Sequence, residues 1–452
     1  MAIRELMDAI DIKNGSVTVK DKVAVRKMMD GLVYAAVFEQ EDARKKALLV
    51  LIKEIAKAYG AVPSSIQGLY EEMGRNYPGF TVPAMNIRGL TYDSAKAAFR
   101  KAHQLKAGPM IFEIARSEIG YTMQRPLEYS AVVLAAAVSE GHEGPVFIQG
   151  DHFQLVRKNY LGDPALETNY VKGLITEAID AEFYNIDIDT STLVDLSKPT
   201  IKEQQRPNFE RTAELAEFIR QAQPAGVDVS IGGEIGEIGT RNSTAEELKA
   251  YLDGFREIFK GGTGLSKLSI QTGTSHGGVV LPDGTLARVQ IDFETLKALS
   301  LLARREYGLS GCVQHGASTL PEEAFHMFPQ TTTSEVHLAT GFQNIVYDSP
   351  SLPGEFRKKV YALLSKEFSK ERKEGQTDEQ FFYSLRKKGF GPVKKEWWDL
   401  SSDVKDPLMK ELEDRFGLLF EKLRIPGTQD ILKRTISPVV VKKEINKDLL
   451  GL

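Results

Sequence analysis

From Phe80 onward the chain repeats one pattern, in which a short apolar run rich in β-branched residues ends in Gly, Asn, Asp or His and is followed by a helix-like stretch. Such an alternation predicts strands joined by crossover helices, and therefore a parallel sheet. Eight repeats predict an α/β fold closed into a (β/α)8 TIM barrel, with a doubly wound open sheet as the alternative. The runs begin at Phe80, Gly108, Gly144, Glu182, Val227, Leu265, Ser310 and Ser334.

The segments on either side of this repeat have a different, helical character. Residues 43–60 carry apolar side chains at helical spacing, and so do residues 358–375 and 405–423. We therefore expect additional helices at both termini. The predicted organisation is a helical N-terminal extension over residues 1–77, a barrel over 78–349 and a helical C-terminal extension over 350–452.

Composition and charge narrow the possible functions. The net charge is −4, so the chain has no overall positive charge for nucleic acid. Cys312 is the only cysteine, which excludes an intramolecular disulfide and a cysteine-rich zinc site. The first residues show no signal-peptide pattern, and no apolar run approaches the roughly 20 residues of a membrane span. We expect a cytoplasmic protein that binds neither nucleic acid nor membrane.

Histidines and an acid gather where the predicted strands end, which is where barrels of this kind build their active sites. His152, His276 and His315 follow the third, sixth and seventh strands. Glu234 closes the fifth strand. A lone histidine is usually a structural residue, but three imidazoles beside a carboxylate suit a catalytic divalent metal, zinc first.

Asp151 directly precedes His152 and has two possible roles. Its carboxylate could accept a proton from a sugar hydroxyl. It could equally orient the neighbouring imidazole through a hydrogen bond. The residues alone leave these two roles open.

Two small, glycine-containing loops follow the seventh and eighth strands: HGAS from His315 and ATGF from Ala339. Loops at these positions often bind phosphate in such barrels, through backbone N–H groups that are free to approach an anion. The same sequences are equally compatible with simple tight turns.

Six segments, in order, resemble the class II fructose-bisphosphate aldolase family: VPAMNIRG, GPVFIQGDHF, IDTSTL, VSIGGEIGEIG, IQTGTSHGG and VQHGASTLPEEAF. The resemblance implies that Asp151 transfers the proton and that the cofactor is Zn²⁺ or another divalent metal. It implies metal ligands at His152, Glu234, His276 and His315. It implies substrate or phosphate contacts at Asn86, Asp189, Gly277, Gly316, Ser318, Thr340 and Gly341.

Among the departures of the chain from this family, two concern residues for substrate binding and catalysis. The segment HLATGF has His337, Ala339 and Thr340 where the family usually has Asn, Asp and Thr, so one carboxylate is missing. The loop after the fifth strand carries a catalytic glutamate in many relatives but is short here, and Glu237 is the nearest candidate. The reaction class therefore follows from the resemblance more firmly than the substrate does.

The resemblance implies retro-aldol cleavage of a sugar phosphate, with fructose 1,6-bisphosphate as the leading substrate, and we expect a homo-oligomer. The metal would polarise the ketose carbonyl, and Asp151 would take the C4 hydroxyl proton as the C3–C4 bond breaks. A ketose or ketose-phosphate 4-epimerase would use the same chemistry without releasing its products. A catalytically inactive barrel serving as a binding module should lack ligand residues, and the sequence contains all of them.

Overall fold

The computed structural model describes residues 3–236, 241–273, 281 and 290–451. Each of the eight predicted runs contains the start of one of the strands from β4 to β11 in the list that follows, and β6 continues past its run to Gln154. Within the described residues the strands are β1 (Ile10–Lys13), β2 (Ser16–Val19), β3 (Ala61–Pro63), β4 (Val82–Asn86), β5 (Ile111–Ala115), β6 (Gly144–Gln154), β7 (Asn185–Asp189), β8 (Ser230–Glu234), β9 (Lys267–Ile270), β10 (Cys312–Gln314) and β11 (Glu335–Leu338).

Strands β4 to β11 form one closed parallel barrel. Each strand pairs with the next one along the chain. The last strand returns to the first, with Glu335 opposite Val82 and Leu338 opposite Met85. An open sheet would leave its two outer strands with free edges. The predicted barrel is therefore confirmed, and the open-sheet alternative is excluded.

Helices surround the barrel and form most of both extensions. The described helices are α1 (Ile3–Ala9), α2 (Lys22–Phe38), α3 (Asp42–Tyr59), α4 (Gln67–Arg75), α5 (Thr91–Leu105), α6 (Arg116–Tyr121), α7 (Pro126–Ser139), α8 (Arg157–Gly162), α9 (Pro164–Asp180), α10 (Ile201–Ala222), α11 (Ala245–Ile258), α12 (Phe293–Tyr307), α13 (Met327–Gln330), α14 (Thr340–Asp348), α15 (Gly354–Phe368), α16 (Asp378–Leu385), α17 (Lys394–Trp398), α18 (Ser402–Lys422), α19 (Gln429–Thr435) and α20 (Lys447–Leu450). Among the described helices, none combines the length and the apolarity that crossing a bilayer would require.

Several crossover helices begin at residues that cap them. The Asp163 side chain accepts a backbone hydrogen bond at the start of α9. Thr200 with Glu203 forms a capping box at the start of α10, and Thr244 with Glu247 does the same for α11. Such caps satisfy backbone N–H groups that have no partner within the helix. The alternation of strand and helix is therefore encoded locally as well as by the apolar pattern.

The N-terminal extension is not only helical. Strands β1 and β2 form an antiparallel hairpin, and β3 pairs with the start of β6, where Ala61 lies opposite Gly144. Helical spacing gave no indication of these short strands. Helices α2 and α3 pack against α7 of the barrel layer, and α18 of the C-terminal extension packs against α5.

The two extensions also contact each other. Lys57 in α3 pairs with the buried Glu182 at 2.7 Å and donates a hydrogen bond to the Val441 carbonyl at 2.5 Å. The backbone N–H of Lys443 donates to Glu54 Oε1 at 3.0 Å. We call these contacts between α3 and residues 441–443 the terminal clasp. It holds the end of the chain against the side of the barrel.

Candidate active site

The site begins with a break in the regularity of β6. The register of β6 against β7 shifts between Gly150 and Phe153, and His152 between them has a φ of +43°. Such a bulge inserts an extra residue and re-aims side chains that would otherwise alternate between the two faces of the sheet. A Cβ atom at Gly150 would lie 2.5 Å from the Phe153 ring, so the bulge requires glycine there. Asp151 and His152 thereby face the same end of the barrel.

His152 lies at the centre of a group of acidic and imidazole side chains. Its Nδ1 atom is 3.2 Å from Asp189 Oδ2 and 3.2 Å from Glu234 Oε2. Its ring centroid is 4.3 Å from that of His315. Asp189 is fixed in turn by Ser191, whose Oγ donates to it at 2.7 Å. Side chains at the ends of four barrel strands therefore form one cluster.

This cluster fits a divalent metal. Two ligands of one tetrahedral zinc lie about 3.4 Å apart, because each zinc–ligand bond is roughly 2.1 Å long. The 3.2 Å separations around His152 Nδ1 match that spacing. Ligand atoms of His152, Asp189 and Glu234 lie within 4.8 Å of one another, and so do those of Asp151, His152 and His315. The structure therefore brings three of the four predicted ligands together.

Three predicted site residues lie outside the described residues: His276, Gly277 and Glu237. The metal-ligating role of the first, the substrate contact of the second and the catalytic role of the third stay predictions. Asn86 and the other predicted site residues are all described.

The charges around the cluster also favour a cation. Burial raises the pKa of Glu234 to about 7, and the neighbouring Asp189 carboxylate adds to the shift. Burial would lower the pKa of His152, but the surrounding carboxylates outweigh it and raise that pKa well above the usual value. A bound divalent cation would reduce the repulsion between these carboxylates and favour their ionised form.

Asp151 is buried beside the same cluster but faces a second histidine. Its Oδ1 atom is 3.2 Å from His337 Nδ1, and Asn86 Nδ2 donates to its Oδ2 at 3.5 Å. Burial alone would raise the pKa of Asp151, but His152 and His337 outweigh it and hold that pKa well below its usual range. The carboxylate is therefore ionised and able to accept a proton.

His337 connects Asp151 to carboxylates inside the barrel. Its Nε2 atom is 2.6 Å from Glu335 Oε1, and its Nδ1 atom is 3.2 Å from Glu113 Oε1. Burial would lower the pKa of His337, but Glu113 and Asp151 raise it well above the usual value. The imidazole is therefore held as a cation next to the ionised Asp151.

A lysine completes this buried network. Lys267 Nζ lies 2.5 Å from Glu335 Oε1, 3.0 Å from Asp187 Oδ2 and 2.8 Å from Gln149 Oε1. At the amino-terminal end of the barrel, the hydroxyl of Tyr70, which lies in α4, donates a hydrogen bond to Glu335. Sequence reasoning missed this network. The sequence feature that could have revealed it is a charged residue within each of several strand runs, where such barrels usually have apolar side chains.

The two predicted phosphate loops lie side by side. Ser318 Oγ accepts a hydrogen bond from the Ala339 backbone N–H at 2.6 Å. Gly316 has a φ of +66°, and a Cβ atom at Gly341 would lie 2.9 Å from the Ser318 carbonyl, so both positions favour glycine. Helix α14 begins at Thr340 without a side-chain cap. The backbone N–H groups of this helix start suit an anion such as phosphate.

One cavity of about 570 Å³ joins these features, which is a suitable size for a small molecule. Asp189, Glu234 and Gly341 are described but are not among its lining residues. The predicted site residues that line it are Asn86, Asp151, His152, His315, Gly316, Ser318 and Thr340. Three basic residues that sequence reasoning did not single out also line it: Arg88, Arg116 and Lys387.

Comparisons with known proteins bear on this geometry. The family model described as "Fructose-bisphosphate aldolase class-II" matches residues 75–384. A structure of a "probable tagatose 6 phosphate kinase" from Sinorhizobium meliloti 1021 is 16% identical, covers 79% of this chain and 94% of that chain, and has a TM-score of 0.51, so it shares the fold. No curated protein matches the sequence.

Two further solved structures are similar to this chain. The fructose-bisphosphate aldolase of Campylobacter jejuni is 17% identical, with coverage of 81% of this chain and 96% of that chain and a TM-score of 0.48. The YdjI aldolase of Escherichia coli K12 is 14% identical, with coverage of 80% and 98% respectively and a TM-score of 0.44.

Proposed function

The chain belongs to the class II fructose-bisphosphate aldolase family, and from that premise we propose that it is a divalent-metal-dependent lyase that cleaves a phosphorylated ketose. Fructose 1,6-bisphosphate is the leading substrate. The observation that carries the proposal is the position of the ionised Asp151. It lies between the cluster around His152 and the Asn86 amide, in the cavity that also contains the phosphate loops.

Zinc is the first candidate for the metal. His152, Glu234 and His315 would hold it, together with the predicted ligand His276, and it would polarise the ketose carbonyl when bound. The donor set of nitrogen and carboxylate oxygen atoms is the one that zinc uses in catalytic sites.

Asp151 supplies the base in this proposal. It accepts the proton of the C4 hydroxyl while the C3–C4 bond breaks, and its low pKa keeps it in the form that can do so. The alternative role, orientation of His152, is less well supported because the closest approach of Asp151 Oδ1 to His152 Nε2 is 3.8 Å, longer than a hydrogen bond.

Asn86 positions the substrate and the base together. Its amide nitrogen donates to Asp151, while its buried Oδ1 atom has no hydrogen-bond partner among the described residues. A buried acceptor without a partner costs free energy, so a substrate hydroxyl that donates to it would bind favourably. The phosphate of the same substrate would reach the start of α14 and the loop of Gly316 and Ser318.

A direct assay tests the proposal. Zinc-loaded protein is incubated with fructose 1,6-bisphosphate, and the release of triose phosphates is measured. The Asp151→Asn variant is the control, because contaminating aldolase would not respond to it. Release that is absent from the wild-type protein, or equal in both proteins, would contradict aldolase activity on this substrate.

A second candidate is a ketose or ketose-phosphate 4-epimerase. Ala339 lines the cavity where the family resemblance leads one to expect an aspartate, so a contact to one product is missing. An epimerase would keep both fragments bound, rotate the aldehyde and form the bond again. Appearance of the C4 epimer without free triose phosphate would favour this activity over the aldolase.

A further inference from the structure

We propose that Arg88 and Lys387 form a cationic subsite for the substrate phosphate, so that the C-terminal extension completes the active site. The inference deepens the proposed function and rests on it for the nature of the substrate. Both side chains line the cavity that contains Ser318 and Thr340. Lys387 lies beyond residue 384, where the family match ends.

Arg88 is held rigidly at the wall of the cavity. Its Nε atom donates to Glu118 Oε1 at 2.7 Å, and its Nη1 atom donates to Gln343 Oε1 at 2.9 Å and to Thr340 Oγ1 at 3.3 Å. These three bonds fix the guanidinium plane beside the start of α14. The Nη2 atom of Arg88 makes no hydrogen bond to the described residues and could therefore donate to a phosphate oxygen.

Lys387 differs from the two basic residues that flank it. Arg386 pairs with Asp348 at 2.7 Å, and Lys388 pairs with Glu371 at 2.6 Å. Lys387 makes no ion pair or hydrogen bond with the described part of the chain, and its Nζ atom lies 5.9 Å from the centroid of the Tyr121 ring. This unpaired cation lines the cavity from the short 3-10 turn Arg386–Gly389.

The two cations repel each other in the absence of an anion. Burial lowers the pKa of Lys387, and the nearby Arg88 lowers it further. Removing an ammonium group from water is unfavourable unless an opposite charge replaces the water. Glu118 pairs with Arg88 and also attracts Lys387, and Glu371 attracts Lys387 although it pairs with Lys388. Burial and the two neighbouring cations outweigh these carboxylates, so a bound dianion would supply the charge that the pair lacks.

The backbone adds a third element to the same subsite. Helix α14 has nine residues and starts at Thr340, whose hydroxyl already contacts Arg88. The partial positive charge of an uncapped helix start adds to the charge of the two side chains. A phosphate here would therefore contact the barrel through Arg88 and α14 and the C-terminal extension through Lys387.

The test compares two neighbouring lysines. Lys387→Gln removes the cation that lines the cavity, and Lys388→Gln removes a cation from the same turn that pairs with Glu371. Inorganic phosphate is titrated into the zinc-loaded proteins and its dissociation constant is measured by calorimetry. Loss of a charge-assisted contact should weaken phosphate binding by roughly 10- to 100-fold in Lys387→Gln. Lys388→Gln should bind phosphate like the wild-type protein.

Lys387→Arg keeps the charge and should restore most of the phosphate affinity. Equal phosphate binding by Lys387→Gln and the wild-type protein, or equal loss in both glutamine variants, would overturn the inference. Lys387-dependent phosphate binding in a protein that cleaves no ketose phosphate would support the anion subsite and contradict the proposed function, so the two failures are distinguishable. Unchanged melting temperatures would establish that the variants are folded.

Discussion

Two pairs of neighbouring histidines lie at opposite ends of the barrel and have opposite surroundings. At the carboxyl-terminal end the rings of His315 and His337 are 4.1 Å apart among carboxylates. At the amino-terminal end, His103 and His142 stack with ring centroids 5.5 Å apart, and no carboxylate of the described residues forms an ion pair with either. Burial lowers the pKa of His142 to about 4, whereas carboxylates raise that of His337.

The residues around a buried imidazole decide what it can do. Burial favours the neutral form of the imidazole in both pairs. Carboxylates that converge on one pair make its end of the barrel suitable for a cation and for proton transfer. In the other pair, His142 Nε2 lies 3.3 Å from the Pro145 carbonyl oxygen and the His142 ring lies 4.9 Å from the Phe99 ring, so this pair has a packing role.

Replacement of a histidine at the carboxyl-terminal end should have the largest effect. We expect His152→Ala to lose the bound metal and its activity to fall by roughly 10³-fold or more. The reason is that the metal would stabilise the transition state by several kcal/mol. His142→Gln, at the opposite end, should keep both. Metal content per chain and the rate of ketose phosphate cleavage are the two measurements. Full activity in a verified metal-free sample would contradict metal dependence.

Asp151→Asn should have the next largest effect. The change keeps the shape of the side chain but removes the base, so kcat should fall by roughly 10² to 10⁴. Metal content should remain that of the wild-type protein. A variant that loses its metal and regains activity with excess zinc would assign Asp151 the role of orienting His152 instead.

At the amino-terminal end we expect an effect of pH on stability. His142 has a pKa of about 4 when folded, against an ordinary value of 6.5, so the unfolded chain binds more protons between these values. The free energy of unfolding should therefore fall as the pH drops from 6.5 toward 4, by roughly 2 kcal/mol at about pH 5.

Urea unfolding at about pH 7 and about pH 5 measures this effect. His142→Gln should lose less stability on acidification than the wild-type protein. His326→Gln, which changes an exposed histidine, is the control and should behave like the wild-type protein. The same pH dependence in His142→Gln and the wild-type protein would remove His142 as its cause.

Ser318→Ala should have the smallest effect, again at the carboxyl-terminal end. The Ser318 hydroxyl accepts a hydrogen bond from the Ala339 backbone N–H, and Ser318 lines the cavity. Loss of the hydroxyl should weaken the binding of a phosphorylated substrate by roughly fivefold to tenfold. The binding of an unphosphorylated analogue should weaken less. Comparison of KM for the two substrates measures the difference, and an equal loss for both would give the loop a purely structural role.

Much of the fold could be predicted because its signals are local. Each barrel strand begins within an apolar run, and several crossover helices have their own caps. The pair Asp151 and His152 was also visible, because it comes directly after the apolar run of the third predicted strand, although β6 continues through both residues to Gln154. The bulge that turns both side chains to one end was not visible, because it depends on the packing of Phe153 against Gly150.

Other parts of the site depend on contacts that sequence spacing does not encode. The sequence has three consecutive cations, Arg386, Lys387 and Lys388, and gives no reason to assign them different roles. Only the packing of the C-terminal extension pairs the outer two with Asp348 and Glu371 and directs Lys387 to the cavity. The network around Lys267 is similar, since the partners of Lys267 come from β6, β7 and β11 and Tyr70 of α4 bonds to one of them.

The terminal clasp has a consequence for the order in which the chain folds. Its hydrogen bonds join residues that are 384 and 389 positions apart. Contacts between such distant residues form slowly, because the entropy of closing the intervening chain is lost before they contribute. During synthesis the barrel strands leave the ribosome before residues 441–443, so the barrel can assemble while α3 still lacks this partner. The clasp therefore belongs to the last steps of maturation, after the strands that carry the site have paired.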